Sequence, residues 1–325
     1  MFLAKFLGVD GGGTKTAFTL LAHDGRVLAR HTGGSLYHPE VGLEGVAAVL
    51  QQGVQATLAE AGCTADDVVH SFIGIPCHGE DSALQPRLDA LPASVLPAGR
   101  FTCGNDMVCG WAGSLGGHDG INIVAGTGSI AYGEWHGRRA RAGGWGELFS
   151  DEGSAYWIAC EGLALFARMS DGRASPGPLL GLLRNRLQLT DDLDLCARIY
   201  GPDATGRTGL AGLAPLVAEA AHQGDAAARM IFERGAGELA DIVAATARRL
   251  HAASEAVLPV SYSGGVFNSQ GLVLSPFRDA LLRRLPSATL AGPRFSPTIG
   301  AALQAARLAG QPLSEEALAV LERNG

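Results

Sequence analysis

Residues 6–16 read FLGVDGGGTKT, an apolar run that ends in three consecutive glycines. The run Phe6–Asp10 predicts a strand, Gly11–Gly13 a tight turn, and Thr16–Ala22 a second strand that pairs with the first. Glycine in such a turn exposes the backbone N–H groups and lets an anion approach without meeting a Cβ atom. This hairpin is therefore a candidate phosphate-binding turn.

The same pattern recurs further along the chain, where residues 121–129 read INIVAGTGS. Ile121–Ala125 predicts a strand, Gly126–Ser129 a glycine-rich turn, and Ile130–Trp135 the returning strand. Two copies of one glycine-turned hairpin, about a domain apart, predict two domains related by duplication with a cleft between them.

Two better-known phosphate loops are excluded by their spacing. Residues 8–13 have the glycine spacing of a P-loop, but Thr14 stands where that loop requires lysine. The 126–128 turn lacks the third glycine of the dinucleotide fingerprint, and a strand rather than a helix follows it. Both hairpins instead combine glycine N–H groups with hydroxyls. The candidate cofactor-binding residues of the two hairpins are Asp10, Gly12, Gly13, Thr14, Lys15, Gly126, Thr127 and Gly128, with the hydroxyls of Thr16 and Ser129 beside them.

The bulk composition fits two domains. The chain has 325 residues, of which 47% are apolar, enough for two packed cores. The net charge is −7 and no cluster of Lys and Arg offers a surface for nucleic acid. The six cysteines form no CxxC pair, which indicates reduced thiols and a cytoplasmic protein. No apolar run is long enough for a membrane helix, and Met1–Leu7 is too short for a signal peptide.

The predicted fold class is α/β, with mixed sheets flanked by helices, because each hairpin is followed by strands that alternate with helical stretches. The first domain is predicted at 1–117, joined by the C-terminal helix 298–325, and the second at 118–297. Apolar residues at helical spacing predict helices from 107 onward and at 153–169, 209–223, 226–253 and 298–308.

Three aspartates are candidate functional groups. Asp10 ends the first strand and suits Mg²⁺ held through water, because Mg²⁺ prefers carboxylates and retains part of its water shell. Asp106 ends a strand and precedes a helix from Met107, so it is an N-cap, a general base, or both. Asp151 precedes the predicted helix 152–169 and is likewise a cap, a hydroxyl acceptor, or both.

Two glycine-flanked features are candidates for ligand contact. Trp145 stands between two glycines and has no apolar partner at a periodic spacing, which favours an aromatic face for a ligand over a core position. The strand 257–263 ends in the pair Gly264 and Gly265, with Asn268 shortly after. Such a turn can lie flat against an adenine or a ribose, or it is an ordinary connection between a strand and a helix.

Taken together, these residues resemble the N-acetylglucosamine kinase branch of the BadF/BadG/BcrA/BcrD ATPase family. Residues 8–16 resemble its first phosphate motif and 125–129 its second. The most specific match is Gly144-Trp145-Gly146 followed by DEGSAYW at 151–157, and the resemblance covers nearly the whole chain. It implies a two-lobed actin/hexokinase-like (ribonuclease H-like) fold that closes over ATP, Mg²⁺ and an amino sugar. Kinases of this type and size are often homodimers.

The resemblance also implies roles for single residues. It implies that Asp106 is the base that deprotonates the 6-hydroxyl of the sugar. The implied nucleotide contacts are Thr14, Thr127, Gly212 and Gly264, with Gly265 and Asn268 in the same turn. The implied sugar contacts are Ser129, Gly144, Trp145, Gly146 and Asp151, with Tyr37 and His38 on the sugar side of the first domain.

Three places depart from the family's N-acetylglucosamine kinases. Tyr37 replaces an asparagine before the histidine, Pro76-Cys77-His78-Gly79 replaces a Ser-Gly or Ala-Gly, and Ile130 replaces a polar amide. All three would lie on the sugar side. N-acetylglucosamine, glucosamine and other hexose derivatives therefore stay open as substrates.

Two functions outside the kinase class stay open as well. An ATPase activator of a dehydratase-type enzyme needs cysteines that hold an iron–sulfur cluster near the second hairpin, and Cys109 and Cys160 flank it without that context. A non-catalytic sugar sensor does not need a base, whereas Asp106 is present.

Overall fold

The structure is a computed structural model that describes residues 3–201 and 206–324. Residues 1, 2 and 325, at the outer ends of the predicted domains, lie outside the described residues. Contacts divide the chain into two compact units. Unit 1 comprises 1–119 and 292–325, and unit 2 comprises 120–291.

Unit 1 is built on a five-stranded sheet, with elements numbered in chain order. Its strands are β1 (Lys5–Gly11), β2 (Thr16–Ala22), β3 (Val27–Gly33), β4 (Val68–Ile75) and β5 (Phe101–Asn105). Its α-helices are α1 (His38–Glu60), α2 (Gln85–Ala90), α3 (Met107–Leu115), α11 (Pro297–Leu308) and α12 (Glu315–Asn324). Short 3-10 helices cover Ala65–Asp67 and Leu91–Ser94.

Unit 2 is built on a second five-stranded sheet. Its strands are β6 (Gly120–Ala125), β7 (Ser129–Trp135), β8 (Arg138–Gly143), β9 (Leu258–Ser263) and β10 (Ala288–Ala291). Its α-helices are α4 (Ala155–Ser170), α5 (Pro178–Leu187), α6 (Asp194–Tyr200), α7 (Gly206–Ala211), α8 (Ala214–His222), α9 (Ala226–Leu250) and α10 (Leu274–Arg284). A 3-10 helix covers Gly265–Asn268.

The two sheets share one topology. The strand orders are β3-β2-β1-β4-β5 in unit 1 and β8-β7-β6-β9-β10 in unit 2. In each sheet the first three strands of the chain form an antiparallel meander, and the last two run parallel to the first strand. The prediction of an α/β fold with mixed sheets and duplicated domains is confirmed.

Helix α11 completes the core of unit 1 by packing against β1 and α3. A Cβ on Gly8 of β1 would come within 2.2 Å of the backbone nitrogen of Ala302. A Cβ on Gly300 would come within 2.1 Å of the carbonyl oxygen of Cys109. Backbone approach this close requires glycine at both positions. Helix α11 is therefore tied to the strand that carries Asp10. The single C-terminal helix predicted at 298–325 is wrong, because α11 ends at Leu308, Gly310 has a positive φ of 70°, and α12 begins only at Glu315.

The prediction of one continuous helix at 209–223 is wrong. It is two helices, α7 and α8, separated at Gly212. Pro215 lies in the first turn of α8 and has no N–H to donate to a carbonyl of the preceding turn, so one continuous helix cannot form. Four elements of unit 2, α5, α6, α10 and β10, were not predicted. Within 3–201 and 206–324, no helix is long and apolar enough to cross a membrane.

Candidate active site

The first candidate phosphate hairpin is the turn between β1 and β2. Gly13, Thr14 and Lys15 are exposed, and a Cβ on Gly13 would meet no atom within 4 Å. The inner side of the turn is fixed, because the N–H of Leu36 donates to the carbonyl of Gly12 over 3.2 Å. The turn therefore presents an open backbone surface of the kind that accommodates a phosphate.

Two of the four predicted hydroxyl donors are already engaged within the protein. Thr16 is fully buried, and its Oγ1 donates to the carbonyl of Gly34 over 2.6 Å. Ser129 is also buried, and its Oγ donates to the carbonyl of Glu152 over 2.8 Å. These two hydrogen bonds therefore stabilise the hairpins, and the two hydroxyl protons are not available to a phosphate. The exposed hydroxyls are those of Thr14 and Thr127.

Asp10 and Asp106 lie at the same edge of the sheet in unit 1. Asp10 pairs with Gly74 of the neighbouring parallel strand β4, and Asp106 directly follows β5, the next strand along. Burial and then the charge of Asp106 raise the pKa of Asp10 to about 7. Two partly buried carboxylates that repel one another fit a cation, because a divalent ion beside them would offset the repulsion. The donor set fits Mg²⁺ held by Asp10 through water.

Asp106 stands at the N-terminus of α3, but its side chain is not the cap. Its backbone is already helical, with φ −61° and ψ −24°, and its carboxylate makes no capping hydrogen bond. Asn105 takes that role, since its Oδ1 accepts from the N–H of Met107 over 3.1 Å. Burial and then the nearby charge of Glu80 raise the pKa of Asp106 to about 6. The N–H groups of Met107 and of Asp106 itself lower this pKa, but by less than burial raises it, so the carboxylate is not committed to capping α3.

Cys109 was not predicted as part of this site, although it fills the space behind the two aspartates. A Cβ on Gly74 would come within 2.4 Å of its Sγ and 3.1 Å of the Cα of Asp106. The thiol donates to the carbonyl of Val9 over 3.7 Å, and burial holds its pKa well above the usual range. It is a protonated packing group rather than a nucleophile.

Tyr37 and His38 lie beside the first hairpin. The N–H of Tyr37 donates to Oγ of Ser35 over 2.9 Å, and that hydroxyl donates to the carbonyl of Gly12 over 3.3 Å. His38 is the first residue of α1, and both ring side chains are half-buried. The segment before α1 is thus connected to the hairpin through a single serine.

The second candidate phosphate hairpin is the turn between β6 and β7. The N–H of Gly126 donates to the carbonyl of Gly128 over 2.9 Å. The carbonyls of Gly126 and Thr127 accept from the N–H groups of Ala155 and Tyr156, over 2.8 and 3.3 Å. The start of α4 is therefore occupied by the hairpin, which leaves Thr127 exposed at the tip.

Asp151 is not the helix cap that its sequence position suggested. Ser154 caps α4, because its Oγ accepts from the N–H of Trp157 over 3.1 Å. Asp151 is only 2% exposed and adopts a left-handed backbone with φ 65°. Its Oδ1 accepts from the N–H of Ser129 over 3.2 Å, and its Oδ2 lies 2.5 Å from Nη2 of Arg207.

Arg207 is the main residue of this site that sequence reasoning missed. It lies 56 positions from Asp151, on a short helix of its own, and its Nε is also 3.3 Å from Oε2 of Glu147. A Cβ on Gly128 would come within 2.5 Å of its Nη2. Nothing in the local sequence pattern marks one arginine among many as the partner of a buried carboxylate.

Trp145 lies on the surface of unit 2 rather than in its core. The side chain is 69% exposed, and the Cζ of Arg141 lies 5.6 Å from its ring centroid. Gly144 and Gly146 have positive φ angles of 67° and 99°, which glycine adopts without strain. The tryptophan is thus held on a glycine-hinged turn with an aromatic face available to a ligand.

A pocket of about 930 Å³ opens beside the second hairpin within unit 2. Five predicted cofactor-site residues line it: Gly126, Thr127, Gly212, Gly265 and Asn268. The remaining wall includes residues that sequence reasoning did not single out, such as Thr208, Glu219, Gln223, Ser269 and Gln270. Its size suits a nucleoside with part of its phosphate chain.

Gly264 does not line this pocket but lies directly behind it. Its φ is 101°, and a Cβ there would come within 2.3 Å of the carbonyl oxygen of Ala125. The residue therefore allows β9 to turn tightly against the end of β6, which positions Gly265 and Asn268 at the pocket wall.

No cluster of three or more His, Cys, Asp or Glu side chains arranged for a metal ion occurs in the described part of the chain. The six cysteines are free thiols. Cys109, the one nearest the aspartate pair, is buried.

The protein is similar along most of its length to two relatives named as kinases. It is 29% identical to an N-acetyl-D-glucosamine kinase of Dictyostelium discoideum, over 92% of this chain and 97% of the relative. It is also 29% identical to an N-acetylmuramic acid/N-acetylglucosamine kinase of Clostridium acetobutylicum, over 91% and 96% of the two chains.

Two solved structures of proteins named as sugar kinases are also similar to this chain. A protein of Chromobacterium violaceum assigned by inference as an N-acetylglucosamine kinase superposes with a TM-score of 0.71 and 27% identity, over 94% of this chain and all of that one. A ROK family hexokinase of Thermus thermophilus shares the fold, with a TM-score of 0.55 and 19% identity over 92% and 97% of the two chains.

The family model described as the BadF/BadG/BcrA/BcrD ATPase family matches residues 7–305, which include both glycine hairpins, all three candidate aspartates and the pocket. The chain therefore belongs to the BadF/BadG/BcrA/BcrD ATPase family.

Proposed function

We propose that the protein is an ATP-dependent amino-sugar kinase that phosphorylates the 6-hydroxyl of N-acetylglucosamine or a related hexosamine. The observation that carries the proposal is the state of Asp106, a half-buried carboxylate that caps no helix and whose pKa is about 6. Such a group is mostly ionised at neutral pH and basic enough to accept a proton from a hydroxyl. The names of the two curated relatives support a sugar as the acceptor.

For the nucleotide half of the proposal, each unit is assigned candidate contacts of its own. ATP supplies the phosphoryl group, and Mg²⁺ offsets the charge of its oxygens. Asp10 would hold the metal through water. The open turns at 12–15 and 126–128 would donate backbone N–H groups to phosphates, with Thr14 and Thr127 adding hydroxyls. The pocket lined by Gly212, Gly265 and Asn268 would receive the adenosine, with Gly264 behind its wall.

The sugar half of the proposal rests on Asp151 and the turn before it. A buried carboxylate accepts hydrogen bonds from hydroxyls well, and Trp145 offers an aromatic face to the apolar side of a sugar ring. The other proposed sugar contacts are Gly144, Gly146, Ser129, Tyr37 and His38. Glucosamine is the alternative acceptor, because Tyr37, Cys77 and Ile130 depart from the pattern of N-acetylglucosamine kinases.

A screen of sugar-dependent ADP release tests this function. Glucosamine, N-acetylglucosamine, N-acetylmuramic acid, N-acetylmannosamine and glucose are compared in a coupled assay with Mg²⁺ and ATP. We expect one hexosamine to stimulate turnover most, and we expect its 6-deoxy analogue to inhibit without releasing ADP. If no sugar stimulates turnover, the kinase proposal is contradicted. Stimulation by a protein partner instead would support the ATPase-activator alternative.

Oligomeric state and compartment are parts of the same proposal. The resemblance to two-lobed kinases supports a homodimer, and the six scattered free thiols support a cytoplasmic protein. Light scattering during size-exclusion chromatography tests the first, since a mass of one 33.5 kDa chain would contradict it.

A further inference from the structure

The carboxylate of Asp151 depends on one cation. It is almost completely buried, its Oδ1 accepts from the N–H of Ser129, and its Oδ2 contacts Nη2 of Arg207 over 2.5 Å. A buried carboxylate that loses its cationic partner is left without compensation for its lost hydration, and it turns or shifts towards water. The orientation of Asp151 is therefore set by the position of Arg207.

The position of Arg207 depends in turn on helix α7. This helix has only six residues, too few to be stable without packing against its neighbours. Arg207 reaches towards Asp151, whereas Thr208, Ala211 and Gly212 of the same segment line the nucleotide-sized pocket. One short helix thus contacts the pocket with one set of residues and the Asp151 carboxylate with another.

The surroundings of the guanidinium favour a fixed position. Its Nε lies 3.3 Å from Oε2 of Glu147, on the same turn that carries Trp145, so it is held by two carboxylates. The absence of a side chain at Gly128 leaves the space that Nη2 occupies. Arg207 itself is 40% exposed, so its stabilisation comes from these two partners rather than from burial.

We propose that Arg207 is a positioning residue that orients Asp151 for the sugar and makes sugar binding depend on occupation of the nucleotide pocket. A nucleotide that packs on Thr208 and Gly212 fixes α7, which fixes Arg207 and therefore the carboxylate. By thermodynamic linkage, the sugar strengthens nucleotide binding by the same factor. The inference rests on the proposed function, because Asp151 must contact the sugar for the coupling to appear.

The test is calorimetric titration of the sugar with and without a non-hydrolysable ATP analogue and Mg²⁺. For the wild type we expect the analogue to tighten sugar binding by about 5-fold or more, within the usual range of coupling between two sites. For Arg207→Met we expect the factor to fall below about 2-fold and the KM for sugar to rise about 10-fold or more, while nucleotide binding in the absence of sugar stays nearly unchanged. Arg207→Lys should retain part of the coupling, because lysine keeps the charge but not the fork that meets two carboxylates.

The matched control is Arg284→Met. Arg284 also makes a two-pronged ion pair, with Asp241 at 2.7 Å for both contacts, on a helix that does not line the pocket. It should change neither the coupling factor nor the KM for sugar. Thermal melts and binding of a fluorescent nucleotide confirm that each variant is folded.

The outcomes separate this inference from the proposed function. A wild type that no sugar stimulates contradicts the kinase function itself. A wild type that is active but shows no coupling, or an Arg207→Met variant that keeps the full coupling factor, overturns the role of Arg207 and leaves the kinase proposal standing.

Discussion

The carboxylate of Asp106 helps to raise the pKa of Asp10 to about 7, although the two residues come from different strands of the sheet in unit 1. The parallel strands β1, β4 and β5 end at the same edge, and Gly74 on the middle strand keeps the space between them narrow. The aspartates therefore destabilise each other in the free protein. A cation beside the pair would offset this repulsion, which is what the proposed magnesium site requires.

Replacing the proposed base should separate binding from chemistry. We expect Asp106→Asn to lower sugar-dependent kcat by about 10²- to 10⁴-fold, because the amide cannot accept the hydroxyl proton. Affinity for ATP should change little, since the nucleotide pocket lies in unit 2. ADP release and fluorescent-nucleotide titration measure the two effects. Asp66→Asn, at an exposed position of the same unit, is the control, and full turnover by Asp106→Asn would exclude Asp106 as the base.

The pH dependence of turnover should report the ionisation of Asp106. Asp106 must be ionised to accept a proton, so kcat should fall as the pH decreases through about 6, its pKa in the folded protein. The charge of Glu80 contributes to that value, after burial. Glu80→Gln should therefore move the acidic limb of the profile to lower pH. A profile that is flat from pH 5 to 8, or a Glu80→Gln profile that moves the opposite way, would argue against this assignment.

Removing the charge of Asp10 should stabilise the free protein at high pH. Its pKa is about 7 when folded, against about 3.9 in an unfolded chain, so the folded state holds the proton more tightly. The stability contributed by that proton is present below pH 4 and is lost as the pH rises through 7. In EDTA, Asp10→Asn should therefore gain on the order of 2 kcal/mol over the wild type at pH 8, and little near pH 4.5.

Urea unfolding at several pH values measures this difference. The same variant should lose most of its turnover with Mg²⁺ and ATP. A stability difference that does not vary between pH 4.5 and 8 would show that Asp10 carries no raised pKa.

A side chain at Gly74 should disturb the pair formed by Asp10 and Asp106, because Gly74 packs against Cys109 and the backbone of Asp106. A Cβ there would come within 2.4 Å of the Sγ of Cys109, so Gly74→Ala should cost roughly 1–3 kcal/mol through overpacking. Removing the sulfur with Cys109→Ala should restore part of that loss, and the Cα of Asp106 at 3.1 Å should prevent full recovery. A double-mutant cycle by urea unfolding measures the coupling. Additive effects of the two substitutions would contradict the contact.

A side chain at Gly128 should disturb the ion pair between Asp151 and Arg207. A Cβ there would come within 2.5 Å of Nη2 of Arg207 and within 2.8 and 2.9 Å of the two carboxylate oxygens of the buried Asp151. Gly128→Ala should therefore displace both partners, raise the KM for sugar about 10-fold or more, and cost roughly 1–3 kcal/mol of stability through overpacking. Gly237→Ala in α9, where a Cβ would meet no atom within 4 Å, is the control. An unchanged KM for sugar in Gly128→Ala would contradict the arrangement.

Some features of the site follow from short-range patterns. The two hairpins were predictable because glycine spacing and strand alternation are local properties, and they correctly placed open turns at Gly13 and Thr127. The position of Asp106 at the end of a strand followed from the same reasoning. The prediction of one helix at 209–223 was wrong. The periodic apolar pattern continues across Gly212, but Pro215 prevents the helical backbone from continuing there.

The hydrogen-bond and ion-pair partners of the side chains could not be predicted from such short-range patterns. Ser154 rather than Asp151 caps α4, since both residue types cap helices well and only the backbone angles decide between them. The hydroxyls of Thr16 and Ser129 looked free because their acceptors lie far along the chain. Arg207 could not be predicted as the partner of Asp151 for the same reason, since 56 positions separate the two residues in the sequence.

The sequence by itself determined that this chain forms two hairpins of the phosphate-binding type within a duplicated α/β fold, because turns and strand alternation are encoded by neighbouring residues. Only the tertiary structure decided that Asp10 and Asp106 meet at one sheet edge with raised pKa values, and that Arg207 holds Asp151. Both depend on burial and on charges brought together from distant positions, and the free energy of an ionised group is set by what surrounds it in space.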